Sequence, residues 1–320
     1  MHIRTPRGWE IPESQATPEH IFLSRRNLMA LGAGSIAAAG LALPAAAAAA
    51  ETDPSAGLYP AARNPRYTLD RPLTPEPSAS TVNNYYEFGG NYDVARAASK
   101  LKTRPWTITI DGLVEQPRQV GIDDLLKAVT LEERLYRHRC VEGWSMALPW
   151  TGFPMKALVD YARPLGSAKY VRFETFLDRA VAPGQNGRFY PWPYVEGVTM
   201  AEANNELAFM VTGIYGKPAP NQFGAPLRVA LPWKYGFKSA KAIVKVTFTE
   251  QRPKSFWEVV QGGEYGFWAN VNPAVAHPRW SQATEKDIAT GERRPTLIYN
   301  GYGEYVAGLY AGMEKEKLFM

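Results

Sequence analysis

The sequence holds one cysteine, Cys140, set among groups that can do chemistry. Tyr136-Arg137-His138-Arg139 precede it, and Val141-Glu142-Gly143-Trp144-Ser145-Met146 follow it. Arg137, His138 and Arg139 are expected to lower the cost of a thiolate, and Glu142 lies two residues away as a candidate proton carrier. A thiolate is a soft ligand suited to a transition metal. A single cysteine excludes an intramolecular disulfide framework, and His2, His20, His138 and His277 show no zinc-ligand spacing. Two readings stand on chemistry alone. Cys140 is a buried structural thiol, or it binds a metal whose cofactor brings further sulfur ligands.

Other groups carry two readings each. Lys234, Lys238 and Lys241 read alone as a solvated strand face, and beside Arg228 as an anion site. Trp144, Trp150, Trp192 and Trp233 are more often core than substrate platform. His277-Pro278-Arg279-Trp280 alone reads as a turn. No Gly-rich strand-to-helix phosphate loop, Cys-x-x-Cys-His haem site, iron–sulfur cysteine set or flavin motif is present. A redox reaction here would need electrons from another protein.

Several segments taken together resemble the sulfite-oxidase superfamily, closest to its periplasmic methionine-sulfoxide reductase branch. Cys140-Val141-Glu142-x-Trp144-Ser145-Met146 with Pro149-Trp150-x-Gly152-Phe153-Pro154 is similar to the family's molybdenum-ligand segment. Asn83-Asn84-Tyr85-Tyr86-Glu87-Phe88-Gly89 resembles an N-terminal cofactor segment. Phe173-Glu174-Thr175, Pro193 to Gly197, Gly224 to Arg228 and Pro232 to Lys238 follow in the same order. Tyr265-Gly266-Phe267, Asn270 to Pro273 and His277 to Glu285 complete a run over about residues 80–305.

The resemblance implies a molybdopterin cofactor with one mononuclear molybdenum and no nucleotide, and Cys140 as its metal ligand. It implies Asn83, Tyr86, Glu87, Thr175, Arg228 and Ser239-Ala240-Lys241 as the groups that hold pterin and phosphate. One position departs. The family commonly has Asn directly before Gly-Ala-Pro, where this chain has Phe223, with Asn221 and Gln222 upstream. The implied activity is reduction of protein-bound methionine sulfoxide by oxygen-atom transfer. The implied electron donor is a haem-containing membrane subunit fed by the quinone pool. Alternatives are a sulfite dehydrogenase, a small-molecule S- or N-oxide reductase, and a non-catalytic periplasmic binding protein. Trp144, Tyr194, Trp233 and Tyr235 are expected as aromatic walls for a neutral sulfoxide.

These groups need a scaffold to position them. Trp106 to Ile110 alternates at period two and ends at Asp111-Gly112. Lys169 to Thr175, Pro226 to Leu231 and Ala242 to Glu250 read as strands. Ile122 to Leu126, Met155 to Tyr161 and Thr199 to Ala203 read as short helices. Separate strands and short helices predict an α+β fold with a mixed sheet, which the resemblance makes a sulfite-oxidase-type domain over residues 81–320. Residues 51–80, with six prolines from Pro54 to Pro77, read as an extended surface arm.

Residues 1–50 read as a twin-arginine export signal. Arg25-Arg26 precedes a weakly apolar Ala/Gly run that ends in Ala45 to Ala50. Its low hydrophobicity favours a cleaved signal over a retained anchor and predicts a periplasmic protein. The net charge is +5, of which the first fifty residues supply four arginines against three glutamates. This mild, scattered balance excludes nucleic acid as a partner. Too little chain remains beyond the matched core for the immunoglobulin-like dimerisation domain of plant and animal sulfite oxidases, which favours a monomer.

Overall fold

Side-chain alternation builds the first sheet. In the computed structural model, which describes residues 53–319 except Asn91 and Asp93, twelve strands form. The export-signal segment lies outside the described residues. The strands are β1 (Thr107–Gly112), β2 (Arg118–Gly121), β3 (Glu132–Arg139), β4 (Trp144–Pro154), β5 (Tyr170–Thr175) and β6 (Val195–Thr199). They continue as β7 (Phe209–Ile214), β8 (Lys217–Pro218), β9 (Arg228–Ala230), β10 (Ile243–Thr249), β11 (Thr284–Asp287) and β12 (Arg293–Pro295). One sheet runs β2-β1-β10-β5-β6, with only β1 and β10 parallel. Ile108, Ile110, Val171, Phe173, Val246 and Phe248 point to its buried face, while Thr109, Arg172, Lys245 and Thr247 take the other.

The second sheet centres on β4. Along one edge β4 pairs antiparallel with β3, from Glu132 opposite Gly152 to Arg139 opposite Ser145. Along the other it takes β11 at Trp144–Ser145 and β7 from Trp150 onward. All of β4 but its last residue is buried, so it has no polar face and no period-two signal. Gly152 is required where β4 meets β7, because a Cβ there would lie 2.0 Å from the Met210 carbonyl oxygen.

Seven short α-helices fill the connections: α1 (Glu76–Thr81), α2 (Ala95–Ala98), α3 (Ile122–Lys127), α4 (Met155–Ala162), α5 (Met200–Ala203), α6 (Phe256–Gln261) and α7 (Gly303–Val306). α4 ends where Arg163 turns left-handed, just before Pro164. α5 starts on a capping box in which Thr199 and Glu202 exchange side-chain bonds with each other's backbone N–H. Upstream of α1, residues 53–75 carry one 3-10 turn, Ala56–Leu58, and bury Tyr67 and Thr74. Among the described residues no helix is long and apolar enough to cross a membrane.

The β segments read at Lys169 to Thr175 and Ala242 to Glu250 form almost as expected. The one at Pro226 to Leu231 shortens to β9. Lys234 and Lys238 do not form a solvated face. Both are buried, Lys234 paired to Glu202 at 2.6 Å and Lys238 paired to Glu196. Burial of an amine is tolerated here because each has a carboxylate partner.

Candidate active site

Cys140 sits in the tight turn that joins β3 to β4. Its N–H donates to the Trp144 carbonyl at 2.9 Å, and Gly143, with φ of 86°, closes the turn by donating to the Cys140 carbonyl. The turn forms one wall of a pocket whose empty space, open mouth included, is about 870 Å³, a size suited to a cofactor. Asn83, Tyr86 and Glu87 reach the pocket from the segment after α1. Phe223 approaches from before β9 and Arg228 from its first position, and Ser239, Ala240 and Lys241 from before β10. Cys140 and Glu142 complete this convergence of residues distant in sequence. Thr175 alone among the expected catalytic and cofactor-holding residues is not in the wall. It lies behind Glu87 and donates to that carboxylate at 2.9 Å.

Burial pushes the Cys140 thiol up to about 12, with the Glu142 carboxylate adding to the rise. Of the expected cations only Arg139 favours the thiolate, through space and outweighed by burial, because both arginine side chains are bound elsewhere. Arg137 turns to Asp70 and the Tyr302 ring. Arg139 is fully buried against Glu285 at 3.0 Å, Gln282 at 2.8 Å and Thr296 at 3.2 Å. Two weak donors do face the sulfur: the Asn84 amide and the Glu142 N–H, each at 3.4 Å. Glu142 lies at the open mouth and accepts from Tyr92 at 2.7 Å, Asn84 at 3.1 Å and Trp144 Nε1 at 3.4 Å.

The opposite wall is positive. Arg228 donates to the Phe223 carbonyl at 2.9 Å, and Lys241 donates to the Asn84 carbonyl at 2.8 Å. Among the described residues neither makes an ion pair. Desolvation lowers Arg228 to about 10; desolvation and then Arg228 lower Lys241 to about 7, while Glu87 acts in the opposite direction through space. His138 faces the same space, and desolvation with the same two cations pushes it down to about 3, so it is a neutral imidazole. Two desolvated basic groups that face one carboxylate, Glu87, and make no ion pair with it favour an added anion. A soft thiol on one wall and an anion cradle on another fit a phosphorylated cofactor that carries a metal. Phe223 presents its ring to the pocket and its carbonyl to Arg228, so it shapes the site without the amide expected there. Asn221 does not take over that contact; its amide caps the Ala98 and Leu101 carbonyls.

Trp144 and Tyr194 line the pocket as expected, but Trp233 and Tyr235 do not. Trp233 is fully buried and donates to Tyr310 at 2.8 Å. Tyr235 packs in a separate small core with Ala269 and Val271. Sequence reasoning missed Asn84, Tyr92, Trp257 and Tyr265 as functional groups. Asn84 and Tyr265 were in view inside quoted motifs, whereas nothing near Trp257 in sequence signals a pocket.

The segment around β11 clasps the Cys140 turn. Arg139 donates to the Cys140 carbonyl, while Trp280 Nε1 and Gln282 Nε2 each donate to the Val141 carbonyl at 2.8 Å. Arg139→Leu should therefore destabilise the protein by about 3 kcal/mol in chemical denaturation, since it leaves the buried Glu285 carboxylate with Arg71 at 3.3 Å and the Thr296 hydroxyl at 3.2 Å. Adding Glu285→Leu should restore most of that loss. A single mutant as stable as the parent would contradict the clasp.

The "Oxidoreductase molybdopterin binding domain" family model matches residues 95–257, which contain Cys140 and the Arg228–Lys241 wall. The protein-methionine-sulfoxide reductase catalytic subunit MsrP of Ralstonia nicotianae is 45% identical over 100% of both chains. Its counterpart in Burkholderia mallei is 46% identical over 98% of this chain and 96% of its own. Among solved structures, a chain of the sulfane dehydrogenase SoxCD from Paracoccus pantotrophus is 16% identical, covers 60% of this chain and 47% of its own, and superposes with a TM-score of 0.46. Full-length likeness and the family-model match lead to one assignment: the chain belongs to the MsrP catalytic-subunit family of molybdopterin-binding oxidoreductases.

Proposed function

We propose that this chain reduces methionine sulfoxide residues in oxidised proteins, with the overall change R₂SO + 2e⁻ + 2H⁺ → R₂S + H₂O. The observation that carries this reading is the pocket, with the Cys140 thiol on one wall and the unpaired Arg228 and Lys241 cations on another. When bound, the molybdenum cofactor supplies the two-electron exchange and a Lewis acid for the sulfoxide oxygen. Cys140 holds the metal. Arg228 and Lys241, with the backbone at Ser239 and Ala240, hold the terminal phosphate of a pterin that carries no nucleotide. Asn83, Tyr86 and Glu87 face the pterin, and Thr175 orients Glu87. Glu142, fixed by Asn84, Tyr92 and Trp144, stands at the mouth where it can pass protons to the departing oxygen.

The walls favour a sulfoxide over sulfite. Among the described lining residues the basic side chains are Arg228 and Lys241, the latter lowered to about 7, and on this reading the cofactor phosphate takes both. Arg137 and Arg139, which might have received an anion, are engaged away from the mouth. Sulfite near neutral pH carries negative charge and would need cations of its own. A methionine sulfoxide is neutral, and Trp144, Tyr194, Phe237, Trp257 and Tyr265 give it an aromatic surround.

The same reading places the protein in the periplasm, exported in folded, cofactor-loaded form through Arg25-Arg26. Electrons come from a haem-containing membrane subunit, and the catalytic subunit is a monomer. The supporting features are the arginine pair before an Ala-rich run and the lack of electron-carrier motifs in the sequence.

Rates with a dye-reduced enzyme should be high on an oxidised methionine-rich protein and on free methionine sulfoxide, and negligible for sulfite oxidation. Efficient sulfite oxidation with no repair of the oxidised protein would replace this reading with the sulfite dehydrogenase one. For export, changing Arg25 and Arg26 together to Lys should leave folded precursor in the cytoplasm. Undiminished delivery of that variant to the periplasm would refute the twin-arginine route.

A further inference from the structure

The pocket does not end at its rim. Tyr86 and Trp257, both in the wall, have ring centroids 4.9 Å apart, and each lies 6.2 Å from Tyr190 outside the pocket. Tyr190 stacks on Phe256 at 5.7 Å, and Trp192 lies against the same ring at 4.9 Å. The loop that carries them is tied to the pocket wall. Gly184 donates to the Glu87 carbonyl at 2.9 Å and approaches so closely that a Cβ would lie 2.0 Å from the Tyr86 carbonyl oxygen. Just before Tyr190 stands Phe189, whose surface is 95% exposed. Burying a phenyl ring is worth roughly 1.5–3 kcal/mol, so a fully hydrated one beside a reaction pocket is a ready source of binding energy. Glu258 on α6 is bound by both Arg252 nitrogens at 2.8 and 3.0 Å, while Arg188, exposed directly before Phe189, stays open to solvent.

We infer that this aromatic ledge, Phe189 foremost, docks the apolar residues that flank the oxidised methionine in an unfolded polypeptide substrate. The inference rests on the reading of the pocket as a methionine-sulfoxide site and adds what selects its substrates. A polypeptide that places one side chain in the pocket must lay its neighbours over the rim, at about 3.3–3.6 Å per residue. The ledge meets the rim at Tyr86 and Trp257, so it receives the next few residues on one side. The occupant's chemistry follows from that of methionine. Methionine sits mostly in apolar cores, and its oxidation disrupts those cores, so the segments that present it also expose apolar neighbours. A ledge whose foremost group is a hydrated phenyl ring matches such neighbours and gains less from polar ones, with Arg188 at its edge.

The test uses the full-length, cofactor-loaded enzyme with dye as electron donor. Three substrates are compared: a peptide with methionine sulfoxide flanked by Leu and Phe, the same peptide with Ser and Gly flanks, and free methionine sulfoxide. The parent should prefer the apolar-flanked peptide in kcat/KM. F189S should lose about fivefold on that peptide and nothing on the other two, and F189L should recover most of the loss. Binding of the two peptides is measured separately from turnover and should show the same fivefold loss. Equal binding of the apolar peptide by parent and F189S overturns the ledge. So does an equal loss on all three substrates, or a loss confined to membrane-donor-driven turnover or to vesicle binding, which would give the surface to the electron donor or to lipid. Failure of the parent to reduce any sulfoxide would instead refute the catalytic reading, and the peptide-binding comparison would still decide the ledge.

Discussion

Two positive charges held close together out of water are the constraint on which the rest of this structure depends. Arg228 and Lys241 are both lowered by desolvation, and Lys241 is lowered further by Arg228. Their described partners are backbone carbonyls. Such an arrangement opposes folding unless something compensates it. Elsewhere the chain solves the same problem internally, with Glu202 against Lys234 and Glu196 against Lys238. The contrast is informative. Those amines have carboxylates in direct contact; at the pocket Glu87 acts on Lys241 only through space, which leaves room for a ligand's charge. Burial first, and then the same two groups, keep His138 a neutral imidazole.

The thiol on the facing wall depends on a second device. A turn of few residues between two strands would not by itself hold one side chain in a fixed direction. Here the Cys140 and Val141 carbonyls are gripped by Arg139, Trp280 and Gln282. Residues far along the chain thereby fix the direction of the sulfur. Burial and then Glu142 push the thiol up, so a bound metal cation would stabilise the thiolate there.

Much of this was legible in the sequence, for physical reasons that differ by region. The half-exposed strands β1, β5 and β10 alternate cleanly, and the helices at Ile122 and Met155 carry their own stop signals. β3, β4 and β7 were not read as strands. β4 and β7 are buried on both faces, and a strand without a polar face has no period to detect. At the site, Cys140, Glu142, Arg228 and Lys241 stood out by residue type and through family likeness. Thr175 was read into the wall although it supports Glu87 from behind, a one-layer difference that pairing across a sheet decides. Trp233 and Tyr235 were misread because proximity in sequence to Lys238 does not say which side of the backbone a ring takes. The roles of Arg137 and Arg139 were inverted by their partners Asp70 and Glu285, both distant in sequence.

The central claim is that Cys140 provides the protein's sulfur to molybdenum within the Arg228–Lys241 pocket. Molybdenum-edge X-ray absorption of the loaded protein tests it most directly, by counting sulfur neighbours of the metal in the parent and in C140S. The account predicts one sulfur fewer in C140S, with an oxygen in its place or the metal lost. An unchanged sulfur count at full molybdenum occupancy would contradict it.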